Sequence, residues 1–127
     1  MINNCASLAL KFDGADDPRE TPNMTDGIRE MAERHNREIR EIENETSPLN
    51  EGEWRILFIG FWDSFKLIFG YQMPVREYHF VLQDEDGSWI ECDRGDKETS
   101  HANIYELIKD AQKDEIPYQF YAVKKTA

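Results

Sequence analysis

Basic charge is in short supply in this chain. Its 15 lysines and arginines stand against 26 aspartates and glutamates, for a formal net charge of −11. Such a balance excludes nucleic-acid binding by phosphate neutralisation, which needs clustered cations. It favours solubility and steers a basic partner toward the surface. There is no apolar run of about 18 residues, and no basic start leading into a long apolar stretch. Neither a membrane span nor a signal peptide is expected, so the expected location is cytoplasmic. The two cysteines, Cys5 and Cys92, are too few for a disulfide framework or a closed zinc site. No metal and no cofactor is expected. The glycines are scattered and make no phosphate loop. The acid pairs Asp16-Asp17 and Glu43/Glu45 lie in charge-rich stretches and read as solvated surface rather than glycosidase carboxylates.

Aromatic residues, by contrast, are plentiful. Seven Phe, five Tyr and three Trp in 127 residues argue for a packed globule, expected as a single domain over residues 1–127.

Apolar positions at Cys5, Leu8, Ala9 and Phe12 predict a short helix over 4–12, capped by Asn3 or Asn4. A second stripe, Ile28, Met31, Ala32, His35, Ile39 and Ile42, predicts a longer helix over about 25–44, capped by Thr25. From Trp54 the pattern changes. Trp54, Ile56 and Phe58 alternate with Arg55, Leu57 and Ile59, and both sets are largely apolar, which predicts a central strand covered on both faces. Residues 63–74 read equally as a short helix or an irregular excursion. Strands are predicted over 76–83 and 88–94, joined by a turn at Asp84-Glu85-Asp86-Gly87. A helix capped by Ser100 and a last strand over 118–124 follow. The order predicts an α+β layout, helices packed on an antiparallel sheet.

A cysteine opening a helix, with a histidine on a distant hairpin, suits a thiolate nucleophile. The helix N-terminus lowers the thiol pKa, the imidazole takes the proton, and a third polar group orients the ring. Cys5 and His79 fill the first two roles. With Glu85-Asp86-Gly87 as a three-residue loop, Asp84 pairs with Ser88 and His79 falls opposite Asp93. Directly opposed residues have Cβ atoms roughly 5 Å apart, within reach of a carboxylate holding an imidazole. Glu91 shares that face one diagonal step away and competes for the role. The Cys5 backbone N–H is one oxyanion donor, and a side-chain amide of Asn4 or Asn3 is the candidate second. Trp62, Tyr78 and Trp89 are candidate cleft walls. Cys92 is expected on the opposite face from His79, as a small buried hydrophobe. His35 and His101 lack an evident carboxylate partner in the sequence.

Two segments also carry a resemblance. Asn4-Cys5-Ala6-Ser7-Leu8-Ala9-Leu10 is similar to the Asn-Cys-x-x-x-Ala-Leu opening of small papain-like proteins. Tyr78-His79-Phe80-Val81-Leu82-Gln83-Asp84-Glu85-Asp86-Gly87-Ser88-Trp89 resembles a second signature of a bacterial group in that clan, a strand histidine followed by Gln-Asp-x-Asp-Gly-x-Trp. The resemblance implies a papain-like fold, a nucleophile helix on a small antiparallel sheet, with Cys5 as nucleophile and His79 as base. It implies a hydrolase or acyl transferase acting on an amide bond of a protein or peptide: a peptidase, amidase or deamidase. The group's basic His-Lys-Pro-Gly after the Trp is here Ile90-Glu91-Cys92-Asp93-Arg94-Gly95, with Glu91 in the place of that His. The competing expectation is non-enzymatic: a small acidic inhibitor or decoy that occupies the basic groove of a partner.

Overall fold

The computed structural model describes residues 4–18, 21, 23–68, 71–93, 97–113 and 115–126, with side chains at all of these except 61–68, 71–78, 92–93 and 97–98. Helix α1 (Cys5–Leu10) starts at Asn4, whose side chain accepts from the Ser7 N–H while the Ser7 hydroxyl takes the Asn4 N–H, a reciprocal cap. Lys11, at φ 58°, turns the chain out of the helix. Helix α2 (Met24–Arg34) is capped by Asn23. The predicted cap Thr25 is instead buried inside the helix start.

Helix α2 does not run on to residue 44. Asn36 takes a left-handed φ of 57°, a conformation Asn tolerates better than most residues, and the chain becomes strand β1 (Arg37–Ile42). Ile39 and Ile42 still become buried, but on opposite sides of that strand. Their spacing of three is the reason the sequence reads as helix.

Of the stretch 63–74 that sequence leaves undecided, residues 63–68 continue strand β2 (Trp54–Ile68) and 71–74 open β3 (Tyr71–Gln83), which returns antiparallel beside it. Then come β4 (Trp89–Asp93), β5 (Lys97–His101), α3 (Tyr105–Lys113) and β6 (Tyr118–Lys125). Ser100 lies in β5, and Asn103 accepts from the Tyr105 N–H at the start of α3. The six strands form one open antiparallel sheet in the order β1-β6-β2-β3-β4-β5. Beyond Ile59 the β2–β3 pair runs on to Ile68↔Tyr71 with no third strand beside it among the described residues.

Alternation along the strands divides the core in two. Ile39, Ile56, Phe58, Phe80, Leu82, Tyr121 and Val123 face α1 and α2 on the first side of the sheet. Ile42, Leu57, Val81, Trp89, Phe120 and Ala122 face α3 on the second, where Ile104 and Ile108 cover them. The central strand β2 is thus covered on both faces, as its doubly apolar sequence predicts. The β3–β4 hairpin also has the predicted register. The Asp84 N–H donates to the Ser88 carbonyl at 2.8 Å, Gly87 sits at φ 90°, and Val81 lies opposite Glu91. No helix among the described residues is long and apolar enough to cross a membrane.

Candidate functional site

Cys5 occupies the first turn of α1, half-buried, and packs against the first core with Leu8 and Phe12. Asn4 beside it is committed at both ends of its amide. Its oxygen accepts from Ser7 at 3.0 Å and its nitrogen donates to the Asp16 carbonyl at 2.8 Å. It is a structural cap here, not a donor aimed at a reacting carbonyl. Asn3 lies outside the described residues.

His79 is on the other side of the sheet. It is two residues from Val81, which belongs to the second core, and one from Phe80, which belongs to the first. Its Nε2 lies 3.3 Å from the Glu91 Oε1, and Glu91 sits opposite Val81 on that second face. The fold therefore does not bring Cys5 and His79 together. The helix that carries the thiol docks on the face that His79 turns away from, and a central hydrogen-bonded layer lies between them. The crevice shared by sulfur and imidazole that the sequence predicts does not form.

On the second face, Glu91 is the carboxylate that the described side chains place beside His79. Glu91 meets His79 and holds the His101 Nε2 at 2.6 Å with its other oxygen. One carboxylate from β4 thus links imidazoles from β3 and β5. The 3.3 Å approach to His79 is not aligned as a hydrogen bond, and that ring nitrogen is buried with no hydrogen-bond partner among the described residues. Asp93 pairs with Lys97 at the end of β4; the β3–β4 pairs given end at Val81↔Glu91, short of His79 and Asp93, and the Asp93 side chain lies outside the description. The side chains of Cys92, Trp62 and Tyr78 lie outside it too. Trp89 is 2% exposed, its ring edge-on to Phe120 at 5.8 Å, so it is a core residue rather than a cleft wall. Among the described residues no group of three His, Cys, Asp or Glu is placed to hold a metal ion.

Sequence reasoning missed a second pair. His35, at the end of α2, places Nε2 2.7 Å from the Asp16 carboxylate and stacks on Phe12 with centroids 3.7 Å apart. Burial pushes the Asp16 carboxyl up, but bonds from His35, the Asp17 N–H and Arg34 outweigh it and hold its pKa below the ordinary value. No local pattern announces this pair, because a loop and a whole helix separate its members. It lies on the same side of the sheet as Cys5.

A groove of about 620 Å³ on the second face was also illegible in sequence. The β1–β2 loop supplies Glu43 and Glu45, α3 supplies Tyr105, Ile108 and Lys109, and β6 supplies Tyr118 and Phe120. Tyr118 and Phe120 meet edge to face at 6.4 Å. Tyr105, 53% exposed, donates its hydroxyl to Glu45, which raises the phenol pKa and keeps it protonated. Glu43 and Glu45, read from sequence as plain surface, line this groove.

Charge is distributed unevenly. Arg34 is held by Asp16 and Glu30, Arg40 by Glu53, and Lys124 by Glu38. Arg37 donates to the Leu10 and Lys11 carbonyls, and Arg55 to Ser47 and Gln83. Glu33, Glu43, Glu51, Glu85, Glu106 and Asp110 are exposed, with no ion-pair partner among the described residues. Among the described residues the arginines are thus engaged by acids and carbonyls of the same chain, while these six acids stand exposed, as do Lys109, Lys113 and Lys125.

These features define a mixed α/β protein built on an open antiparallel six-stranded sheet. No protein-family model matches the chain, and neither does any curated protein or solved structure.

Proposed function

We propose that this protein is a non-enzymatic acidic docking protein, an inhibitor or decoy that occupies a basic surface of a protein partner. The observation that carries this reading is the sorting of charge: arginines tied to carboxylates and carbonyls, carboxylates left at the surface, and a net charge of −11. Complementary surfaces of opposite sign accelerate encounter and select partners. The test is fluorescence-anisotropy titration with a labelled arginine-rich peptide as stand-in for the basic partner. Binding is expected to weaken at least about tenfold when salt rises from about 0.05 M to about 0.3 M, because exposed charges are screened over roughly a Debye length. It is expected to survive Cys5→Ala and His79→Ala. Absence of binding at low salt, or loss of binding in Cys5→Ala, overturns the reading.

Thiol chemistry on an amide bond, with the papain-like fold that accompanies it, is the second reading. Cys5 at a helix start over an antiparallel sheet supports it, and so does the His35–Asp16 pair on the same side. The position of His79 speaks against the original dyad. A Cys5 that alkylates with iodoacetamide much faster than a model thiol at neutral pH, together with peptide cleavage lost in Cys5→Ala, favours this reading over docking.

A further inference from the structure

The docking reading leaves open where a partner's cation sits. Of the exposed carboxylates, Glu33 lies on α2, Glu106 and Asp110 on α3 and Glu85 in the β3–β4 turn, and an isolated surface charge pair is worth little. The groove between the β1–β2 loop and α3 differs in three respects. It is concave, at about 620 Å³, so an entering side chain loses water. Aromatic rings line it, Tyr118 and the exposed Tyr105, together with Phe120. Glu43 and Glu45 line it as well, with Tyr105 bonded to Glu45 so that ring and carboxylate are held side by side.

We infer that this groove takes an arginine side chain from the basic protein partner, the guanidinium over the Tyr105 or Tyr118 ring and its N–H fork on Glu43 and Glu45. The inference rests on the docking reading and gives it an address. Arginine fits better than lysine. Its planar head stacks on a ring and bonds a carboxylate through two donors, whereas an ammonium is a compact, strongly hydrated charge. Lys109 in the same groove opposes any cation and sets the net attraction below what two carboxylates alone would give.

The experiment uses the full chain and the arginine-rich peptide, compared with a lysine peptide of equal charge. Glu43→Gln with Glu45→Gln is compared with Asp84→Asn plus Glu85→Gln, which removes the same charge at the exposed β3–β4 turn. The groove pair is expected to weaken arginine-peptide binding at least about tenfold and the turn pair less than about threefold, since contact charges outweigh distant screened ones. Tyr105→Ala, an exposed position, is expected to erase the preference for arginine over lysine, and Lys109→Glu to tighten binding. Equal weakening by the two charge-removing pairs overturns the groove and leaves general acidic docking standing. Equal binding of arginine and lysine peptides by the wild type overturns the arginine assignment. No binding of either peptide overturns both proposals.

Discussion

Tyr121 is wholly enclosed between the sheet and α2, and its hydroxyl is nonetheless satisfied. Thr25 lies 2.8 Å away and itself donates to Glu41, so the phenol is the donor in the inner bond and the chain leads outward to an exposed carboxylate. Burial pushes the Tyr121 phenol up to about 12, because a phenolate there would lose its water. The native state therefore keeps a proton that the unfolded chain releases near the ordinary value of 10.0. That contribution is complete below pH 10 and is lost as pH rises toward 12, for about 2–3 kcal/mol at full extent. Urea midpoints measured across this range should fall more steeply for the wild type than for Tyr121→Phe. Parallel slopes would show that another group governs alkaline unfolding. Elsewhere at this scale, Glu91 shows what a single carboxylate can organise, joining histidines from the strands on either side of its own.

At the scale of elements, the β3–β4 hairpin is the best-determined piece of the chain. Three residues in the loop, a glycine at φ 90°, and the Asp86 carboxylate accepting from both the N–H and the hydroxyl of Ser88 fix its register. A methyl group at Gly87 would meet nothing, so Gly87→Ala isolates the conformational cost of a left-handed residue. It should lower stability by about 1 kcal/mol, read as a shift in the urea midpoint with unchanged slope. No change would mean the loop readily adopts another turn. This hairpin was legible because turn chemistry is local: Asp, Gly and Ser act within four residues of one another. The helix predicted over 25–44 was not legible, because Ile39 and Ile42 satisfy helical spacing as well as burial on the two sides of β1. Asn36 is the only local sign of the break, and a left-handed asparagine leaves no unambiguous mark. The stretch after Ile59 failed for a related reason: its apolar residues fit either period.

For the whole molecule, the excess of carboxylates is a long-range property that no single pair removes. A net charge of −11 repels itself, and folding gathers it into a smaller volume. Moderate salt should therefore raise the thermal midpoint, even though it weakens individual pairs such as Arg40–Glu53. Melting in increasing sodium chloride at neutral pH checks this, and a falling midpoint would mean that specific ion pairs outweigh the general repulsion. The acid limb has a defined sign as well. The hydrogen bond from Arg40 outweighs burial at Glu53, and His35 and Arg34 do so together with the Asp17 N–H at Asp16. Both carboxyls are depressed in the fold, so their contribution is present above their ordinary values and drains away as pH falls through the folded ones.

The sequence alone settled the charge, the alternation that makes β2 a two-sided strand, and the pairing of the β3–β4 hairpin. Each of these depends on residue type or on neighbours a few positions apart. It also settled that His79 and Glu91 share one face, since that follows from the parity of a hairpin. Only the tertiary structure decided which face α1 covers, and with it that Cys5 and His79 are on opposite sides. Either docking would bury apolar residues, and the choice rests on how Ala6, Ala9 and Leu10 fit with Phe58, Phe80 and Tyr121, contacts that no local pattern encodes. The groove beside α3 has the same origin, because its walls come from a loop, a helix and a strand that only packing makes neighbours.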